Sequence, residues 1–250
     1  MRPRRAAAIV ERPSPNCGPR PADATVDLLI LHYTGMQSAQ AAIERLCDPA
    51  AEVSAHYVID EDGTVLRLVD ETQRAWHAGV SSWCGRDDVN SFSIGIELVN
   101  PGHEWGYREF PPAQLAACIR LARAIVKRHG IAPARVLGHS DVAPTRKQDP
   151  GELFDWAALA RRGVGLWPPE EDGAPDDGPV AQPGDQGPSV IALQVALARF
   201  GYACPTGGGF DAATAAAVTA FQRHFRPARV DGRFDAECRR RLAWLLAALD

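Results

Sequence analysis

The chain has 250 residues, 46% of them hydrophobic and 23% charged, and its formal net charge is -4. That is the make-up of a soluble globular protein with room for one sizeable core, or for a larger and a smaller domain, and it excludes a disordered or fibrous chain. No strong positive field is present to draw nucleic acid, and no apolar run approaches transmembrane length.

The chain begins Met1-Arg2-Pro3-Arg4-Arg5, and the apolar stretch from Ala6 ends after about five residues at Glu11-Arg12-Pro13, short of the ~7 to 15 an export signal needs. This reads as a loose basic arm that continues as an extended, Pro- and Gly-rich lead-in to residue 25. As written, the sequence places the protein in the cytoplasm; removal of an export segment would place it in the periplasm or at the outer membrane. Val26 to Tyr33, VDLLILHY, is a nearly continuous apolar run and predicts a central strand covered on both faces, with His32 at its C-terminal end. A short helix is expected from Ser38 to Cys47. His56-Tyr57-Val58-Ile59-Asp60 and Val65-Leu66-Arg67-Leu68-Val69 flank an Asp-Gly turn and predict a hairpin.

Ser93 to Val99, SIGIELV, predicts another strand, interrupted by Glu97. From Pro111 to Arg128 the residues Leu115, Ile119, Ala122 and Val126 recur near the helical period, with prolines suited to the start. Arg135 to Gly138 predicts a short strand that delivers His139, and Asp155 to Ala160 a final helix. The alternation implies an α/β domain with a mixed central β-sheet flanked by helices, assigned to residues 26–168. Residues 173–187 are rich in Pro and Gly, and 169–187 is taken as a linker. Three apolar stripes follow, each at helical spacing: Val190, Leu193, Leu197 and Phe200; Val218, Phe221 and Phe225; Leu242, Leu245, Leu246 and Leu249. They predict a small three-helix C-terminal domain over 188–250. Within it Gly209-Phe210-Asp211-Ala212 returns loosely as Gly232-Arg233-Phe234-Asp235-Ala236, each aspartate placed to cap the next helix. The six cysteines show no close metal-type pairing and read as buried free thiols.

The chemistry concentrates in Gly138-His139-Ser140-Asp141 followed by Lys147-Gln148-Asp149-Pro150-Gly151, with His32 far upstream. Two imidazoles and a carboxylate hold zinc firmly and leave a fourth position for water. Taken singly, His32 and His139 are equally readable as histidines satisfied at strand ends, and Asp149 as a turn residue. Glu97 is a candidate acid and base if it faces the metal, yet Ile94, Ile96 and Leu98 do not settle its face. Lys147 suits the charge that develops on an attacked carbonyl oxygen, and equally a solvated surface. His56 and His77 are further imidazoles whose roles the spacing leaves open.

Five blocks, taken in order, resemble the zinc-dependent N-acetylmuramoyl-L-alanine amidases of the type 2 amidase family: His32-Tyr33-Thr34, Ser54 to Ile59, Ala75-Trp76-His77-Ala78-Gly79, Ser93 to Leu98, and Gly138 to Pro144 through Asp149-Pro150-Gly151. The resemblance spans about residues 26 to 160. It implies one zinc per chain on His32, His139 and Asp149, Glu97 as catalytic acid/base, and Lys147 against the carbonyl oxygen. It also implies a substrate pocket that includes His56, Tyr57, Trp76 and His77. Gln194 to Leu197, Gly209-Phe210-Asp211, Ala217 to Gln222 and Asp231-Gly232 resemble the three-helix peptidoglycan-binding domain type 1. The expected partners are muropeptides or peptidoglycan fragments, and intact sacculus through a tail that tethers; the chain is expected to be monomeric. A non-catalytic peptidoglycan-binding protein is the alternative, disfavoured because no ligand position is lost. A zinc peptidase of the usual design is disfavoured by the lack of a His-Glu-x-x-His helix.

Overall fold

In a computed structural model, residues 9–169 and 181–249 are described. The start of the basic arm and most of the expected linker, residues 170–180, lie outside the described residues. In chain order the elements are β1 (Val10–Glu11), β2 (Cys17–Pro19), β3 (Leu28–Tyr33), α1 (Ala39–Cys47), β4 (Tyr57–Ile59), β5 (Val65–Arg67), β6 (Gln73–Ala75), β7 (Ser82–Trp83), β8 (Arg86–Asp87), β9 (Ser93–Leu98), α2 (Gly102–Trp105), α3 (Pro112–His129), β10 (Val136–Gly138), α4 (His139–Val142), α5 (Trp156–Ala160), α6 (Pro188–Phe200), α7 (Ala212–Phe225) and α8 (Ala236–Ala247). Six strands form a mixed sheet of order β1-β5-β4-β9-β3-β10, so the predicted mixed sheet with flanking helices and a helical C-terminal region is the observed architecture. No helix among the described residues is long and apolar enough to cross a membrane. Contacts divide the chain into two compact units, one ending at Ile131 but lacking Val80–Val89, the other made of Val80–Val89 and the chain from Ala132 onward.

In the first unit β3 runs parallel to β9, and β9 parallel to β4, while β4 and β5 form the predicted antiparallel hairpin. Its turn has Gly63 at φ 86°, where a side chain would also meet the Ala113 carbonyl. Leu28 to Leu31 are fully buried, as a strand covered on both faces requires. α1 is capped by the Ser38 side chain on the Ala41 N–H and buries Leu46 in a cluster with Val58, Leu68, Val69 and Val99. α3 packs on β3 and β4. It buries Leu121 and Ile125, each stabilising the fold by roughly 1.5–3 kcal/mol. Its buried Gln114 donates to the Ile59 and Val99 carbonyls, both at 2.9 Å.

The lead-in is more ordered than its composition suggests. β2 pairs antiparallel with β6, and Arg20 donates to the carbonyls of Glu71, Asn90, Ser91 and Ser93 at 2.8–3.1 Å. One guanidinium thereby gathers four carbonyls. The thiols are free, as expected, yet Cys118 and Cys238 alone among the six are buried and Cys84 is exposed.

In the second unit Asp211 and Asp235 cap α7 and α8 as the repeat predicted, accepting from the Thr214 and Cys238 N–H groups. The repeat extends to two buried glutamines. Gln194 accepts from the Gly208 N–H and donates to the Gly209 carbonyl; Gln222 accepts from the Asp231 and Gly232 N–H groups and donates to the Arg233 carbonyl. Each pins the glycine-bearing loop ahead of the next helix. The third predicted stripe is narrower than expected, since Leu242 and Leu245 are buried and Leu249 is exposed. The tail helices are also packed within this unit. α4 packs on α7, and the buried Trp83 ring meets Phe200 and Tyr202 edge-on at centroid distances of 5.8 and 5.1 Å. Gly201 permits this, because a Cβ there would lie 2.4 Å from the Trp83 ring.

Candidate metal centre

His32 is the penultimate residue of β3, and parallel pairing places it opposite Glu97 of β9, with Leu28 opposite Ser93 and Ile30 opposite Gly95. Directly paired residues on neighbouring strands project from the same face, so Glu97 shares the face of His32. The alternation along β9 thus acquires its meaning. Ser93, Gly95 and Glu97 form the small and polar face, and Ile94, Ile96 and Leu98 the apolar one.

β10 delivers His139 to the first position of α4, and the Ser140 N–H bonds the Asp149 carbonyl at 2.9 Å. Asp149 precedes a cis proline. His139 Nδ1 and Asp149 Oδ2 are 3.0 Å apart. One ligand atom from each of His32, His139 and Asp149 lies within 4.8 Å of the others, and all three residues are buried, at 1%, 3% and 6% exposure. Two ligands on bonds of ~2.0–2.1 Å in a tetrahedral shell stand about 3.3 Å apart, close to the observed separation of His139 and Asp149. A buried imidazole, imidazole, carboxylate set at this spacing fits a divalent metal of the zinc type, and a metal would satisfy donors that are otherwise costly to bury.

His32 Nε2 is 3.0 Å from His77 Nδ1, and His77 Nε2 is 3.1 Å from Ser93 Oγ. Nδ1 is then the atom His32 offers a metal, with His77 fixing its tautomer from behind. His77 lies against the strand at Gly95, where a Cβ would come within 2.5 Å of its ring. Gly95→Ala is therefore expected to push His77 off His32. It should cost about 1–3 kcal/mol of stability through overpacking and weaken metal binding, read by thermal denaturation and by competition with a chelator.

Among the other pocket candidates, the His56 ring meets that of His77 edge-on at 5.7 Å. His56 is fully buried, and its Nδ1 accepts the Gly95 N–H at 2.9 Å while Nε2 faces the Gln73 carbonyl at 3.2 Å. Burial, with the Arg20 guanidinium beside it, lowers its pKa to about 3, so the ring stays neutral. It ties β9 to β6 from inside the fold. Tyr57 pairs with Ile96 and donates to Glu71 Oε1 at 2.6 Å, in a cluster with Arg128 and His129. Trp76 is half-buried, its backbone N–H donating to Ser54 Oγ. Lys147 is half-buried on the turn before Asp149, its backbone N–H bonded to the Ala143 carbonyl.

Sequence reasoning assigned no role to Asp141, although it stands in the His139 motif. Its Oδ2 accepts the Gly138 N–H at 2.7 Å, closing the first turn of α4 on the strand that delivers His139. The signal available was an aspartate at the third position of a helix.

The chain is similar to known proteins. Residues 22–152 match the family described as N-acetylmuramoyl-L-alanine amidase, and residues 186–242 a peptidoglycan binding domain. The N-acetylmuramoyl-L-alanine amidase AmiD of Escherichia coli (strain K12) is 36% identical over 230 residues, covering 85% of this chain and 79% of AmiD. The solved complex of E. coli AmiD with anhydro-N-acetylmuramic acid-L-Ala-D-gamma-Glu-L-Lys superposes with a TM-score of 0.77 at 34% identity, covering 91% of this chain and 92% of that one. AmpDh3 of Pseudomonas aeruginosa in complex with anhydromuramic pentapeptide gives a TM-score of 0.69 at 31% identity, covering 89% and 90%.

Proposed function

The chain belongs to the N-acetylmuramoyl-L-alanine amidase family, and on that premise we propose that it uses one zinc ion to hydrolyse the amide joining the lactyl group of N-acetylmuramic acid to L-alanine in muropeptides, 1,6-anhydro forms included. The observation that carries the reading is the buried His32, His139 and Asp149 set. A zinc ion held there would supply a Lewis acid for the scissile carbonyl and lower the pKa of a water at the position three protein ligands leave open.

Glu97, paired with His32 across β3 and β9, takes the proton of the attacking water and hands it to the departing alanine nitrogen. The two transfers balance: water adds to the carbonyl carbon, the C–N bond breaks, and the products are a lactyl carboxylate and a free amine. Lys147, two residues before Asp149, brings an ammonium to the carbonyl oxygen as its charge develops. His77 holds His32 in the orientation the chemistry needs. The tail supplies affinity for the polymer, which raises the local concentration of substrate.

Mass spectrometry of products from an anhydro-muropeptide and from intact sacculi, incubated side by side with zinc-loaded protein, tests this. The expected products are stem peptide with a free L-alanine N-terminus and the intact lactyl sugar. Cleavage at another amide, or recovery of both substrates unchanged, overturns the reading.

A further inference from the structure

Asp141 is fully buried and serves as a hub for three donors. Besides the Gly138 N–H on Oδ2, it receives the Tyr202 hydroxyl on Oδ1 at 2.7 Å and faces His224 Nδ1 from Oδ2 at 2.7 Å. Tyr202 follows α6 and His224 lies on α7, so two of the three donors come from the helical tail. Burial beside the Asp141 carboxylate raises the Tyr202 pKa and keeps its hydroxyl a donor. His224 is 2% exposed and is sandwiched between Trp156 and Phe225, with centroids at 3.7 and 3.8 Å. Its buried Nε2 has no hydrogen-bond partner among the described residues, which suits a lone pair better than an N–H and puts the ring proton on Nδ1, aimed at Asp141. A histidine and a tyrosine whose polar atoms converge on one buried carboxylate do more than fill a helix interface. The carboxylate they hold is the one that closes the turn carrying His139.

We propose that Tyr202 and His224 are positioning residues for hydrolysis: the tail, by fixing Asp141, sets the backbone from which His139 reaches the metal. The inference rests on the reading of His139 as a metal ligand. Tail and hydrolytic centre are then one device, and the tail contributes to turnover of substrates too small to span it. Neither residue touches substrate or metal; both act through Asp141.

The test uses the full chain with zinc as the probe. Tyr202→Phe removes one hydroxyl, and His224→Phe keeps an aromatic ring between Trp156 and Phe225 while removing the donor. Phe210→Leu, in the tail core and outside the Asp141 cluster, serves as a variant of comparable instability. Zinc affinity is read by chelator competition, and kcat and KM on a small muropeptide, with sacculus binding by pelleting. Each cluster variant is expected to weaken zinc binding about tenfold, the lower end for outer partners of a ligand, and to lower kcat with KM and sacculus binding unchanged. Phe210→Leu is expected to keep the parent's zinc affinity. Parent-like zinc affinity and kcat in both cluster variants overturn the proposal, as does an equal loss in Phe210→Leu, which would make the effect one of general stability. Failure of the ligand reading shows itself separately, as absence of stoichiometric zinc from the parent protein.

Discussion

Replacing His139 by alanine is expected to leave a folded protein that no longer carries stoichiometric zinc and no longer hydrolyses muropeptides. The side chain is one of three buried donors within 4.8 Å of one another, so its loss leaves a two-ligand site. Structural zinc sites with four ligands bind with roughly 10–16 kcal/mol, so one ligand is worth about 3–4 kcal/mol and its removal weakens binding by two to three orders of magnitude. Activity should fall at least as far, because the remaining His32 and Asp149 fix neither the ion nor the position opposite it. Metal analysis of the purified variant beside its circular dichroism spectrum checks this. Full zinc in a folded His139→Ala protein would remove His139 from the ligand set.

Glu97→Gln should do the opposite to the metal and nearly the same to the rate. The amide has the shape of the carboxylate but cannot shuttle a proton, so kcat is expected to drop by about 10²–10⁴ while zinc content is kept and KM changes little. The alternative bases are poorly placed to compensate. His56 is held neutral by burial with both ring nitrogens engaged, and His77 is bound to His32 on one side and Ser93 on the other. A kcat near that of the parent would move the acid/base role elsewhere.

The strand carrying His32 was readable because a run of apolar residues buried on both faces is a local property of β3, and α3 because its apolar residues keep the helical period over many turns. The caps at Asp211 and Asp235 were readable for the same reason, since a capping side chain bonds three residues ahead. Glu97 was visible as an anomaly but not its direction, which depends on the β3–β9 register and so on a strand more than sixty residues away. The histidines were harder still: His56 and His77 differ in which atoms meet their nitrogens, and those atoms belong to β9, β6, Arg20 and His32. Nothing periodic announces that Arg20 will meet four carbonyls, or that Asp141 will meet a histidine 83 positions later. The packing of the tail on α4 was not legible, because it depends on surfaces far apart in sequence rather than on any local pattern.

Trp83 carries a cost that belongs to synthesis rather than to the finished protein. It emerges from the ribosome early, on the short β7–β8 ribbon, yet the rings that cover it, Phe200 and Tyr202, are added more than a hundred residues later. At about 5–20 residues per second, a large indole waits on the order of ten seconds without its partners. During that interval the nascent chain presents an apolar side chain to solvent and to chaperones. The order in which the chain is made therefore differs from the order in which its second unit can close, and emergence of Phe200 and Tyr202, not of the first half, marks the moment at which this indole can be covered.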